Sequence, residues 1–338
     1  MAHKTVLTAL LACLVLLLAS AAHAETVTLN YANFPPAGTF PCVQMEHWKK
    51  EVEKRTDGGV AINTFPGGTL LGAKNMYRGV IQGQADIGNL CMAYQPGVFP
   101  LTSVMELPMR FQSSRTASLV LWKLIQKYQP QAFEKVKVLT VFTSPPSSLM
   151  TRDPVKSPAD LKGMELRASG SASDILERLG ATPVSMPMSE TPEALQKGMI
   201  EGLLSSLEVM MDLNFAQYCP YVTMGRFQVY PFAVIMNKDT WQKLSPEVQE
   251  VLRNLGPEQA EWTGEYVDGH VDEALEYSRT EHGVTVLEFT DTERKRIQEQ
   301  ISPLIEEWKE KARDKGLPAE RILEDVRTWK QEFAGQGE

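Results

Sequence analysis

The chain has 338 residues, with 34 Lys and Arg against 42 Asp and Glu and a formal net charge of −8. Acidic and basic residues are interspersed and no basic block occurs, which excludes nucleic acid as an expected partner. The length suits two domains of roughly 150 residues each.

Met1 to Ala24 carries one basic residue near its start, Lys4, and no acidic one. An apolar run from Val6 to Leu18 leads to Ala21-Ala22-His23-Ala24, so residues 1–24 read as a secretory signal peptide cleaved after Ala24. The run is shorter than the about 20 residues that a membrane-spanning helix needs. It continues past Cys13, where a lipoprotein box would end. No later stretch is apolar enough to span a membrane, so a soluble, exported chain is expected. Cys42, Cys91 and Cys219 remain after cleavage. An exported compartment permits a disulfide, and Cys42–Cys91 is the preferred pair because both follow strand signals of the first domain. The other reading is three small buried hydrophobes.

Val27 to Ala32 alternates as a strand, and Asn33 to Thr39 is a Pro- and Gly-containing loop. A helix then carries Val43, Met45, Trp48 and Val52, and Val60 to Phe65 is a second strand. A helix around Asn75 to Gln84 leads into a buried-type strand, Ala85 to Asn89. Such alternation implies βαβ units and a largely parallel sheet, with ligands at the C-terminal strand ends. The loops beginning near Phe34 and Asn89 are therefore candidate walls of a site. Helical patterning covers Ser114 to Lys135, and Val136 to Phe142 is strand-like. Thr143 to Ser148, with Pro145-Pro146, marks a crossing between domains.

The central segment runs from Met150 to Ser206. In the short strand Met164-Glu165-Leu166-Arg167, Met164 and Leu166 take the core face and Glu165 and Arg167 the other. Ser171 is placed to cap the following helix, with Asp174 completing a capping box. An arginine at a strand end beside a helix N-terminus offers a planar fork of donors to a carboxylate, and the free N–H groups add to it. Glu165 reads as a solvated glutamate rather than as the partner of a ligand ammonium. Thr191-Pro192 starts another helix, and Val229 to Met236 returns the chain to the first sheet. Ser245 to Glu281 is helical with an interruption at Gly256-Pro257, long enough to lie across two lobes. Charged helices from Thr292 and Pro318 finish the chain.

Catalytic chemistry is poorly represented. His47, His270 and His282 make no metal-ligand spacing, and H-E-x-x-H, G-x-S-x-G, P-loop and C-x-x-C patterns are absent from the sequence. Met186, Met188, Met210 and Met211 read as core or pocket filler. No cofactor is expected and an enzyme is disfavoured. A two-lobed exported protein with an arginine at its cleft describes a solute receptor that closes by hinge motion.

Four segments carry a more specific signal. They are Gly58 to Ile62 leading to Phe65-Pro66-Gly67-Gly68-Thr69-Leu70; Gln82-Gly83-Gln84-Ala85-Asp86-Ile87-Gly88; Ser157-Pro158-Ala159-Asp160-Leu161-Lys162-Gly163 through Arg167; and Leu195-Gln196-Lys197-Gly198-Met199-Ile200-Glu201-Gly202. Through them the mature chain resembles the solute-binding subunits of tripartite ATP-independent periplasmic (TRAP) transporters, the DctP-like family. The resemblance implies a periplasmic α/β protein of the two-lobed periplasmic-binding-protein type, with crossing strands and a long hinge-spanning helix. Lobe I takes residues 25–144, with 231–272 returning to it. Lobe II takes 145–230, with 273–338 supplying C-terminal helices that pack on it. It further implies that Arg167 grips a ligand carboxylate and that membrane permease subunits, powered by an ion gradient, are the partners.

This sequence departs from the family pattern at points that bear on the ligand. Ser205 stands where many relatives have Asn, Ser147 lies where sugar-acid binders offer a second arginine, and Met188 replaces a stacking aromatic. Leu207, two residues beyond Ser205, is expected to share its face. One firm cation beside Met188, Leu207 and Phe34 favours an apolar or aromatic monocarboxylate, because a second carboxylate would lack a partner. A dicarboxylate or sugar acid is the alternative ligand, and an exported hydrolase or lyase the alternative class. Arg167→Ala is expected to abolish binding while leaving folding nearly intact.

Overall fold

The computed structural model describes residues 26–335. The expected signal peptide and its cleavage after Ala24 lie outside the described residues. Val27–Asn33 forms β1, and Phe40–Arg55 forms α1, which buries Met45, Trp48 and Val52 on one helical face. Val60–Phe65 is β2, Met76–Ile81 is α2, and Ile87–Cys91 is β3, buried throughout. Ser114–Tyr128 forms α3, whose start is capped by the Ser113 hydroxyl accepting from the Thr116 N–H at 3.1 Å. It ends sooner than the expected Lys135, because Gln129 takes a left-handed conformation and Pro130 follows.

Val136–Thr143 is β4 and Ser148–Thr151 is β5. Glu165–Ala168 (β6), Ser171–Arg178 (α4), Thr182–Ser185 (β7), Thr191–Gln196 (α5), Gly202–Ser205 (β8), Val209–Asp212 (α6) and Tyr221–Met224 (β9) follow. Pro231–Asn237 is β10, and Lys238–Lys243 is α7. Pro246–His282 is α8, Thr285–Glu288 is β11, and the chain finishes with Asp291–Ile301 (α9), Pro303–Asp314 (α10) and Ala319–Ala334 (α11).

Two sheets result. The first has the order β2-β1-β3-β10-β4 and the second β11-β9-β5-β8-β6-β7. The expected largely parallel sheet is in fact mixed. β1 runs parallel to β2 and β3, but β10 is antiparallel to both β3 and β4, and β5 is antiparallel to β8 and β9. The reversals fall on the strands that flank the two crossings between sheets, β4 to β5 and β9 to β10.

Helix α8 is unbroken over 37 residues, so the expected interruption at Gly256-Pro257 does not occur. Pro257 and Arg253 lie on the exposed face, where the Arg253 carbonyl that loses its N–H partner can be hydrated. The helix packs on α1, α3 and β4 along one stretch and on α6 along another, joining the layers of both sheets. The C-terminal helices divide between lobes rather than packing on lobe II alone. Helix α9 touches α4, but α11 lies along α3, where Lys123 sits 5.3 Å over the Trp329 ring and pairs with Glu332 at 2.8 Å. The apolar stripe of α11 (Ile322, Leu323, Val326, Trp329) dictates this, since α3 offers the facing apolar surface.

The expected Cys42–Cys91 disulfide is absent, because Cys42, Cys91 and Cys219 are all free and buried. Cys42 lies in the first turn of α1 and donates to the Pro35 carbonyl at 3.2 Å, while Cys91 ends β3 opposite Phe232. Burial pushes the Cys42 and Cys219 thiols up to about 12, so both stay protonated as small hydrophobes.

Candidate functional site

A cleft between the two sheets encloses about 570 Å³ of empty space, its solvent mouth included. Its walls come from the C-terminal ends of parallel strands, where such folds place ligands. The segment after β1 gives Phe34, the one after β3 gives Tyr94, β6 gives Arg167, and the end of β8 gives Ser205, Ser206 and Glu208. Tyr230 comes from the return crossing and Phe232 from the start of β10. Phe34 is held in place because Gly67 and Gly68, beyond β2, donate to the carbonyls of Pro35 at 2.7 Å and Asn33 at 2.9 Å.

The first-sheet side is an aromatic floor. Phe232 stacks on Phe34 at 6.4 Å and meets Phe40 edge-on at 5.6 Å, and Phe34 meets Tyr94 edge-on at 5.6 Å. Opposite it stands Arg167, only 1 % exposed. Its Nε donates to the Met186 carbonyl at 3.0 Å. Its Nη2 donates to the same carbonyl at 2.8 Å, to Ser169 Oγ at 3.0 Å and to the Tyr94 hydroxyl at 3.1 Å. The guanidinium carbon lies 5.9 Å from the Tyr94 ring centre and 6.0 Å from that of Tyr230. Burial works against the charge, but the two tyrosines outweigh it and hold the Arg167 pKa above its ordinary value. Among the described residues no carboxylate pairs with it, and Nη1 has no hydrogen-bond partner.

Tyr94 also ties the sheets together, since its oxygen accepts from the Met188 N–H at 3.1 Å as well as from Arg167. A second tie is Glu106, whose Oε2 accepts from the Ser171 N–H at 3.0 Å. Burial pushes Glu106 up to about 7, against the lowering effect of that hydrogen bond. The expected capping by Ser171 is thereby corrected. Gly170 occupies the cap position and the helix end is already taken by Glu106, not left free for a ligand.

Four of the seven residues singled out from the sequence line the cleft: Phe34, Arg167, Met188 and Ser205. Three do not. The Asn89 side chain donates to Asn33 Oδ1 at 3.1 Å inside the first sheet. Ser147 Oγ accepts from Gln228 Nε2 at 3.2 Å within the crossing. Leu207 is in the second core cluster with Met210 and Phe215, because β8 ends at Ser205 and the two-residue alternation ends with it. The sequence reading missed Tyr94, Tyr230, Phe232, Glu208 and Asp212. Tyr94 had a usable signal, its place just beyond a parallel strand's C-terminal end.

The fold and cleft together define a two-lobed binding protein. The family model "Bacterial extracellular solute-binding protein, family 7" (DctP) matches residues 31–311, and the chain belongs to that family of solute-binding proteins, which are not enzymes. It shares 56% identity with a TRAP periplasmic solute-binding protein of Desulfovibrio salexigens, with a TM-score of 0.83 over 92% of this chain and 98% of that one. A marine metagenome TRAP solute-binding protein is 27% identical, with a TM-score of 0.87 over 91% and 99% of the chains. The 2,3-diketo-L-gulonate-binding periplasmic protein YiaO of Escherichia coli is 25% identical over 81% of this chain and 84% of its own length. Among the described residues no helix is long and apolar enough to cross a membrane.

Proposed function

We propose that this chain is a periplasmic receptor that captures an apolar or aromatic monocarboxylate on Arg167 and delivers it to ion-gradient-driven TRAP membrane subunits. The observation that carries the reading is a buried guanidinium without a counter-ion, facing an aromatic floor. A desolvated cation with a free donor is stabilised by an anion that brings its own acceptors, and a carboxylate matches the fork. Phe34 and Met188 supply apolar walls and Ser205 a hydroxyl. Arg167 is the only basic residue among the described residues that line the cleft, so a dicarboxylate's second charge would lack a partner there. Two relatives support the reading. The Desulfovibrio structure has the C-terminus of a symmetry mate in its ligand-binding site, and the metagenome protein is described as specific for aromatic acids, with 3-hydroxybenzoate bound.

A thermal-shift panel of aromatic and aliphatic monoacids, dicarboxylates and sugar acids tests this on protein stripped of bound ligand. Monoacids at a hundred times their Kd should add about 2.7 kcal/mol of stability. Arg167→Lys should lose the shift, because an ammonium lacks the fork. A panel that stabilises nothing, or an Arg167→Lys protein that responds as the parent does, would sink the assignment.

A further inference from the structure

We propose that the cleft contains a second subsite, built by Glu208 and Asp212, for a hydrogen-bond-donating group. The preferred acid then carries a hydroxyl or N–H in addition to its carboxylate. The inference rests on the carboxylate-receptor reading and refines its ligand class.

Both side chains line the same cleft as Arg167. Glu208 is 2 % exposed; its Oε1 accepts from Ser206 Oγ at 2.6 Å, while Oε2 is buried without a hydrogen-bond partner among the described residues. Asp212 repeats the arrangement. Its Oδ1 meets His270 Nε2 at 2.7 Å, and Oδ2 is buried and unpartnered among the described residues. One oxygen of each carboxylate is therefore anchored to protein and the other is left over. Nearly all buried polar atoms in folded proteins find a partner, so a pair of orphans on a ligand cleft points to donors that arrive with the ligand.

The requirement discriminates among acids. A plain hydrocarbon acid would dry the cleft and leave both oxygens unpaired, and a second carboxylate, which brings acceptors and no donor, would leave them so too. A hydroxyl or N–H on the apolar frame satisfies them. Rejection is then sharpest for the analogue that lacks the donor, because it strands polar groups built to be paired. His270, raised to about 9 first by its hydrogen bond to Asp212, stays a cation at neutral pH and fixes that carboxylate.

Calorimetric titration of ligand-stripped, full-length mature protein tests the subsite with matched acids: benzoate against 3-hydroxybenzoate and 3-aminobenzoate, and valerate against 5-hydroxyvalerate. The two substituted benzoates separate an O–H from an N–H donor. The donor-bearing member of a set should bind at least tenfold more tightly. Glu208→Met, checked for a cooperative melt, should bring that ratio toward one, and Asp212→Asn should lower it. Equal affinities within each set of the unmutated protein would overturn the subsite alone, as would a preference that survives both substitutions. Binding of no member of any set would overturn the receptor reading and the subsite with it.

Discussion

His270 sits between Asp212 at 2.7 Å and Glu273 at 3.1 Å, with its ring stacked on Tyr266 at 5.6 Å. The hydrogen bond to Asp212 is the main reason its pKa rises from 6.5 to about 9. A raised histidine pKa stabilises the fold fully below the unfolded value near 6.5, and the contribution disappears as pH climbs through about 9. After discounting for partial solvent screening, the pair contributes about 1–2 kcal/mol. The melting-temperature gap between the parent protein and His270→Gln should thus be widest near pH 6 and shrink toward pH 9.5; a gap that ignores pH would refute the pairing. Arg167 also changes standing once its surroundings are known. The sequence reading treats Arg167→Ala as nearly neutral for folding, yet the side chain is buried and hydrogen-bonded to Met186, Ser169 and Tyr94, so the substitution removes structure as well as the anchor. Arg167, Phe34, Met188 and Ser205 were legible because each stands at or beyond a strand end or within a family motif. Tyr94 and Glu208 take their meaning from contacts with segments remote in sequence, or from a missing partner, which no local pattern records.

Gly170 links β6 to α4 with φ 56° and ψ −143°, a region essentially closed to residues with a Cβ. A Cβ there would stand 2.0 Å from Glu106 Oε2 and 3.0 Å from the Ala93 Cβ. Gly170→Ala should therefore cost about 2–3 kcal/mol and lower the melting temperature by several degrees, since backbone strain adds to displacement of a buried carboxylate. A melt unchanged within a degree would contradict the packing. Sequence periodicity located most strands and the long helix here, but misjudged their ends. Ser171 has the chemistry of a cap, yet Glu106, 65 residues earlier, takes its N–H and moves the cap to glycine. Pro257 has the chemistry of a breaker, yet it falls on the solvent face of α8. In both cases a local preference of about 1–3 kcal/mol is overridden because the atoms concerned are satisfied in another way, by a remote carboxylate at Ser171 and by solvent at Pro257.

The ties from Tyr94 to Arg167 and Met188, and from Glu106 to Ser171, join the layers on either side of the cleft, and α8 spans both. If capture closes the cleft, small-angle scattering should show the radius of gyration falling when a binding acid is added to stripped protein, with Arg167→Lys staying expanded. An unchanged radius would uncouple closure from capture. The interleaved connectivity has another consequence, for the order in which structure can form. β10 belongs between β3 and β4, yet it is synthesised only after every strand from β5 to β9, and the second sheet waits in turn for β11. Neither half can be finished while the chain is still emerging N-terminus first. The early strands must wait, unpaired along one edge, for residues 231–237, and the last helix must arrive before α3 is covered. Contacts of such long sequence separation make for slow consolidation, completed late in synthesis, rather than lobe-by-lobe maturation. A shortened chain that ends between the lobes would be left as two incomplete sheets with exposed edges, a target for proteases and aggregation instead of a half-receptor.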